Sequence, residues 1–205
     1  MFIRVAQAAD APAMGRVMVD TYLRAHQEQI PAEVWHRRQI EWTPAESAAA
    51  WARAISAIAA DSSARECIYV AIESTSGRDT LIGLIMGGPS GIAGWEHAGD
   101  IYALYVDFAH HRHGVGRGLL QAAVAHLRQL GMTELIIRSL PANAPTNRFY
   151  EALGGQMAGE CASEDYGYQI PERIYHWVDS VMLLGDGGAN GTNNPRPIGE
   201  TSDAG

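Results

Sequence analysis

The feature that most constrains this chain is a strand–turn–helix unit at residues 100–120. Residues 101–106 read IYALYV, an uninterrupted apolar and aromatic run whose length predicts a fully buried strand. Gly114, Gly116 and Gly118 crowd the start of the helix that follows. Helix starts carry unpaired N–H groups and a partial positive charge, and glycine lets an anion approach them closely. The unit therefore predicts an anion site, best suited to phosphate.

Basic side chains surround the same turn. Arg112 and Arg117 carry fixed charge, and His110, His111 and His113 add more when they are protonated. The histidines are spaced i, i+1, i+3, which is not a ligand pattern of a tight metal site, and no cysteine or carboxylate follows closely. We therefore expect these side chains to complement phosphate groups and expect no metal.

Two common phosphate-binding motifs do not fit this turn. The Walker motif needs Lys and Ser or Thr after its last glycine, and neither follows here. The dinucleotide fingerprint needs its third glycine three places after the second, whereas Gly118 comes two places after Gly116. A helix start whose glycines only permit close packing remains the alternative.

Two motifs together resemble the GNAT superfamily of acetyl-CoA-dependent N-acetyltransferases. That family carries Arg/Gln-x-x-Gly-x-Gly/Ala after its fourth strand, and residues 111–116 read HRHGVG. It later carries an Asn and then Tyr-Glu-x-x-Gly-Phe, which Asn143 and residues 150–154 (YEALG) match. The chain departs from the pattern at His111, where Arg or Gln is usual, and at Gly155, where Phe is usual.

The resemblance implies an α/β (α+β) fold with a mixed, mostly antiparallel sheet of six to seven strands. Helices would flank this sheet, and its fourth and fifth strands would splay apart. One acetyltransferase domain would span residues 1–184. Residues 185–205, rich in Gly, Asn and Pro without apolar periodicity, predict a flexible tail.

The resemblance also implies acetyl-CoA as cosubstrate. The pantetheine arm would pair with the backbone of the central strand, the thioester carbonyl would face an N–H near Val106, and the pyrophosphate would lie on the amides of residues 112–118. Asn143 would contact the pantetheine or the amine end. The implied cofactor-binding residues are Leu104, Tyr105, Val106, His111, Arg112, His113, Gly114, Val115, Gly116, Arg117, Gly118 and Asn143.

The implied reaction is direct attack of a primary amine on acetyl-CoA in a ternary complex, which requires a base to deprotonate the amine. Asp100 starts the central strand, where some members of the family carry their base. By the two-residue period of a strand, it is expected to share one face with Tyr102 and Leu104. Glu96 and His97 are rival candidates, and a capping carboxylate is the structural alternative for Asp100.

Tyr150 is the candidate acid for the departing thiolate, because a phenol can donate a proton. It lies off the face defined by Phe149 and Leu153, so it need not belong to the core, and a half-buried tyrosine on the helix is the structural alternative. The leading function is N-acetylation of a small molecule. Acetylation of protein or peptide amines and a non-catalytic acyl-CoA-binding module remain open alternatives.

Composition limits the kinds of partner and the cellular location that we expect for this chain. A net charge of −8 and a pI of about 5.4 do not suit a chain that holds nucleic acid. Cys67 and Cys161 lie far apart in sequence, so we expect reduced thiols. No apolar run reaches membrane-spanning length, and the N-terminus lacks a signal-peptide pattern, so the expected location is cytoplasmic. A homodimer is the default assembly.

The remaining segments predict helices before the sheet and hairpins around it. Thr43 and Glu46 form a capping-box pattern at the start of a helix that contains Trp51, an expected core residue. Residues 26–40 look irregular, residues 162–172 look like an acidic, aromatic loop, and residues 174–184 look like a last strand. Trp35 and Trp42 are candidates to line the acceptor pocket, and the acidic loop is a candidate to favour a cationic acceptor.

Overall fold

A computed structural model describes residues 1–185, which form a seven-stranded sheet with helices on both faces. The strand order is β1-β2-β3-β4-β5-β7-β6, and all neighbours are antiparallel except the parallel pair β4 and β5. The predicted mixed, mostly antiparallel architecture is thereby confirmed. The strands are β1 (Phe2–Val5), β2 (Cys67–Thr75), β3 (Arg78–Pro89), β4 (Gly99–Val106), β5 (Leu135–Ser139), β6 (Gln156–Asp165) and β7 (Tyr168–Trp177). The helices are α1 (Ala11–His26), α2 (Ala32–Glu41), α3 (Pro44–Ala60), α4 (Val115–Gln129) and α5 (Ala144–Ala152).

Hydrophobic cores lie on both faces of the sheet. On one face α4 packs an amphipathic stripe that includes Leu120, Ala123 and Leu127, spaced three and four residues apart along the helix. On the other face α1 and α3 bury Met14 and Trp51 against the sheet, as predicted for Trp51. Within residues 1–185 no helix is both long and apolar enough to cross a membrane.

The start of α3 shows how a local pattern fixes an element. The Thr43 hydroxyl accepts a hydrogen bond from the backbone N–H of Glu46 at 3.2 Å, and the Thr43 N–H donates to the Glu46 carboxylate at 2.8 Å. Both groups would otherwise lack partners at a helix start. The predicted capping box is confirmed, with Pro44 in the first turn.

The two central strands separate, as expected. β4 pairs with β5 only at residues 99–101, so residues 102–106 of β4 have no partner on that side. Just beyond the paired segment, the register between β3 and β4 slips by one residue at Tyr102. Such a bulge bends its strand and increases the local twist, which directs the end of β4 away from β5.

The bulge also contradicts one prediction. Ile101 and Leu104 both pack toward α4, although an unbroken two-residue period would put them on opposite faces. Asp100 lies opposite Ile136, whose side chain belongs to a cluster on the other face of the sheet. Asp100 and Leu104 therefore do not share a face, because the extra residue at the bulge reverses the alternation.

Three segments differ from expectation. Residues 32–41 form α2. The sequence of this helix shows no clear apolar stripe, because Val34 is its one fully buried residue. Residues 162–172 belong to the β6–β7 hairpin, which turns at Tyr166 (φ 50°) and Gly167 (φ 81°), the left-handed pair of a tight hairpin turn. β7 ends at Trp177, and residues 180–184 form a 3-10 turn. The predicted tail lies outside the described residues from position 186 onward.

Candidate active site

The predicted anion site is the turn that starts α4. Gly114 precedes the helix with φ +80°, and Arg112 also has a positive φ of 64°. Among the described residues no backbone carbonyl accepts from the N–H groups of 115–117, which open the helix. The Gly118 N–H, by contrast, donates to the Gly114 carbonyl at 3.0 Å. Of the predicted amides 112–118, that of Gly118 is therefore engaged inside the helix, whereas those of residues 112–117 have no backbone acceptor among the described residues.

The glycines of this turn differ in what surrounds them. A Cβ on Gly116 would lie 3.5 Å from Phe149 and 3.8 Å from Val106, in the opening between β4 and α5. A Cβ on Gly118 would come within 2.8 Å of Ile3 on β1. A Cβ on Gly116 would thus make only ordinary van der Waals contacts, whereas Gly118 permits close packing of α4 against β1.

The three histidines of the turn point to different partners. The Nε2 atom of His110 lies 3.3 Å from the Glu73 carboxylate, and that of His111 lies 2.8 Å from the Val106 carbonyl. His113 is exposed, as are Arg112 and Arg117. Within residues 1–185 no group of three potential metal ligands converges. The exposed Arg112 and Arg117 therefore place positive charge at the turn, whereas the His111 ring is hydrogen-bonded to the end of β4.

The open edge of β4 continues from this turn toward the middle of the sheet. Residues 102–106 have backbone groups without a β5 partner, which an extended ligand with amide groups could pair with. The Val106 carbonyl is already engaged, because it also accepts from the Thr21 hydroxyl at 3.5 Å. The free amides, the open glycine and the unpaired strand edge together fit the diphosphate and pantetheine arm of a coenzyme A thioester.

Tyr150 on α5 is a buried member of the core and lies beside Phe149. It is 5% exposed, and its ring centroid lies 5.6 Å from that of Tyr175 and 6.2 Å from that of Trp177. Burial raises the pKa of the Tyr150 phenol above its ordinary value, and the neighbouring Tyr105 adds to this effect. Tyr150 therefore stays protonated at neutral pH, which is the form that can donate a proton.

Two asparagines organise α5. Asn143 precedes the helix, and its side-chain oxygen accepts from the Thr146 N–H at 3.4 Å. Asn147, which the sequence did not single out, is buried and donates to the carbonyls of Leu140 at 3.3 Å and Pro141 at 3.1 Å. Asn147 thus joins α5 to the end of β5, which holds the helix beside the opening.

Asp100 is the one base candidate inside the sheet. It is 1% exposed, one of its oxygens (Oδ1) has no hydrogen-bond partner within residues 1–185, and burial raises its pKa to about 6. Glu96 accepts from the Gly94 N–H in an exposed loop, and the exposed His97 lies 3.2 Å from Glu134. Of the three candidates, only Asp100 lies at the level where β4 and β5 separate.

The face of the sheet that carries Asp100 is bridged by an ion pair that the sequence did not predict. The Arg38 guanidinium on α2 binds the Asp165 carboxylate at the tip of the β6–β7 hairpin, with N–O distances of 2.9 and 2.8 Å. Its central carbon also lies 5.2 Å from the centre of the Trp42 ring and 5.4 Å from that of Tyr166. Trp42 therefore belongs to this wall, whereas the indole N–H of Trp35 is bonded to the Leu23 carbonyl at 2.9 Å.

Comparisons with known proteins agree with this geometry. A family model described as "Acetyltransferase (GNAT) family" matches residues 28–155. No curated protein matches the chain.

Many solved structures share the fold. A ribosomal-protein-alanine N-acetyltransferase from Brucella melitensis is 20% identical with a TM-score of 0.59, covering 86% of this chain and 99% of that one. A PaiA N-acetyltransferase from Thermoplasma acidophilum in complex with coenzyme A is 15% identical with a TM-score of 0.61, covering 85% and 96%. A phosphinothricin acetyltransferase from Sinorhizobium meliloti in complex with acetyl-CoA is 19% identical with a TM-score of 0.59, covering 86% of each chain.

Proposed function

From the premise that the chain belongs to the GNAT acetyltransferase family, and so uses acetyl-CoA, we propose that it acetylates a primary amine of a small molecule by direct attack in a ternary complex. One observation carries this proposal. A buried carboxylate, Asp100, lies where the unpaired edge of β4 begins, and that edge leads to the free amides of α4. This arrangement supports a base and a cofactor groove in one place.

Bound acetyl-CoA supplies an activated acyl group whose leaving group is a thiolate. The N–H groups of residues 115–117 and the exposed Arg112 and Arg117 would hold its diphosphate, and the backbone of residues 102–105 would hold its pantetheine arm. Tyr150, protonated at neutral pH, would donate to the sulfur. Asn143 would contact the ligand at the start of α5.

Asp100 suits the role of base because of its ionisation. A protonated amine has no lone pair, so a nearby group must accept a proton before the amine can attack. A base works best when its pKa is close to the working pH, and burial brings the pKa of Asp100 to about 6. Its buried Oδ1 atom has no protein hydrogen-bond partner in the described residues, so taking up that proton would break no existing hydrogen bond.

The small size of the acceptor is supported by the bridge between α2 and the hairpin. The Arg38–Asp165 ion pair spans the face that carries Asp100, and a cluster containing Val34 and Ile170 packs beside it. An extended peptide needs an open groove, and a bridge across this face would obstruct one. Three carboxylates and two guanidiniums meet on this face, which favours a cationic acceptor: Asp100, Asp165, Glu172, Arg38 and Arg138.

The proposal is tested by thiol release from acetyl-CoA in the presence of two panels, one of small primary amines and one of peptides with free N-termini and lysines. We expect turnover with a small amine, loss of most of that turnover in Asp100→Asn, and none of that loss in Asp20→Asn, an exposed aspartate on α1. Turnover confined to the peptides would refute the small acceptor. Binding of coenzyme A without any thiol release would indicate a non-catalytic module.

A further inference from the structure

Three charged side chains meet beside the opening, one from each of the neighbouring strands β4, β5 and β7. The Arg138 guanidinium divides between two carboxylates, because its Nη2 lies 3.5 Å from Asp100 Oδ2 and its Nη1 lies 3.2 Å from Glu172 Oε2. We call Asp100, Arg138 and Glu172 the charged trio. Its side chains are 2%, 26% and 18% exposed, so water screens these interactions only in part.

The strand register brings the trio together. Asp100 is paired with Ile136 across the parallel strands, and Arg138 follows two residues later on the same face of β5. Arg138 is paired with Ile174 on β7, and Glu172 lies two residues before Ile174 on that face. The sheet itself therefore fixes the position of Arg138 between the two carboxylates.

The two carboxylate oxygens of Asp100 have different surroundings. Arg138 approaches Oδ2, whereas the buried Oδ1 has no hydrogen-bond partner within residues 1–185. A guanidinium that served only to neutralise a buried carboxylate would be expected to bind both oxygens. This one donates a hydrogen bond to Glu172 and forms an ion pair with Asp100 at Oδ2, which leaves Oδ1 without a partner among the described residues.

We propose that Arg138 is a positioning residue, which anchors Asp100 through Oδ2 and, together with Glu172, sets the protonation state in which Asp100 meets the acceptor amine. The proposal rests on the proposed function for its use in the reaction, but not for its geometry. Arg138 attracts the carboxylate form of Asp100 and Glu172 repels it, so the two residues adjust its ionisation in opposite directions.

The ionisation of Asp100 supports this view. Burial raises the pKa of Asp100 from 3.8 to about 6, Arg138 opposes that rise and Glu172 adds to it. Arg38 and Asp165 on this face are paired with each other. Burial raises the pKa values of Tyr102 and Cys161, which also interact with Asp100, so both stay neutral at neutral pH. The causes that shift the pKa of Asp100 are burial, Arg138 and Glu172. Arg138 and Glu172 are therefore the charges that act on Asp100.

The test follows the titration of Asp100 directly and needs no acceptor. Protein labelled with ¹³C at the aspartate carboxyls is titrated by NMR, and the Asp100 resonance is assigned by its loss in Asp100→Asn. We expect a midpoint near 6 in the wild type. Arg138→Met should raise that midpoint by about 1 to 3 pH units, Arg138→Lys should restore much of it, and Glu172→Gln should lower it. Arg173→Met, on the opposite face of the neighbouring strand, is the matched control.

Two results would overturn the proposal. One is a midpoint that is the same in wild type and Arg138→Met, and the other is a midpoint that does not fall in Glu172→Gln. The second variant carries the test alone if Arg138→Met does not fold, because it keeps the guanidinium in place. Failure of this proposal can be distinguished from failure of the proposed function. If only the role of Arg138 were wrong, the titration midpoint of Asp100 would be the same in all these variants, but Asp100→Asn would still abolish thiol release.

Discussion

Replacing Asp100 by asparagine should change how the stability of the protein depends on pH. In the folded state the pKa of Asp100 is about 6, against an ordinary value of 3.8. Folded Asp100 therefore holds its proton more tightly than unfolded Asp100. The stability gained from the protonated form is complete below 3.8 and is lost as the pH rises through about 6.

The size of the effect follows from that difference. One pKa unit corresponds to about 1.4 kcal/mol, so a rise from 3.8 to about 6 corresponds to about 3 kcal/mol. Asparagine does not titrate. The free energy of unfolding of the wild type minus that of Asp100→Asn should thus fall by about 3 kcal/mol across this pH window and stay level above it.

Urea unfolding at a series of pH values, followed by tryptophan fluorescence, measures this difference, since Trp51 and Trp177 are buried. Asp10→Asn provides a control of opposite sign, because the hydrogen bond from Arg4 lowers the pKa of Asp10 below its usual value. For that variant the difference should rise with pH and be complete above the ordinary pKa. A flat curve for Asp100→Asn across the window would show that Asp100 is not a buried carboxylate of raised pKa.

Other predictions concern the cofactor and the acid. Gly116→Glu should abolish the rise in melting temperature that acetyl-CoA and coenzyme A produce, because its side chain fills the opening between Val106 and Phe149 and repels the diphosphate. Gly91→Glu, which adds the same charge in open space, should keep that rise; unchanged affinity in Gly116→Glu would refute the anion site. Tyr150→Phe should bind coenzyme A normally but slow thiol release about 10²-fold, the usual scale for one general acid. An unchanged rate would remove Tyr150 from the reaction.

What the sequence predicted correctly is mostly local. The helix start at Thr43 and the turn at Gly114 depend on residues within one helical turn, so their patterns are visible without any partner. The splay of β4 from β5 was implied by family resemblance and not by any residue pattern. Local patterns failed where the conformation is local but unusual, as at Tyr166, a non-glycine residue in the left-handed region that concealed the hairpin turn.

The face occupied by Asp100 was mispredicted for a different reason. A two-residue period holds only along an unbroken strand, and the slip at Tyr102 is a property of the pairing between β3 and β4. Nothing in the segment IYALYV marks it, because Tyr102 is an ordinary strand residue in sequence. The position of the bulge depends on how β3 pairs with β4, so the sequence of β4 alone does not show it.

Arg138 illustrates the boundary between what a sequence shows and what a fold adds. It is the one charged residue in the apolar strand LIIRS, and a charge in such a strand needs a partner nearby. That signal identifies Arg138 as unusual but leaves its partner open, since candidates lie anywhere on the neighbouring strands. The parallel register with β4 and the antiparallel register with β7 select Asp100 and Glu172. The ionisation of Asp100 is thus a consequence of three strands meeting, and replacing Arg138 or Glu172 while the strands stay in place should shift the pKa of Asp100.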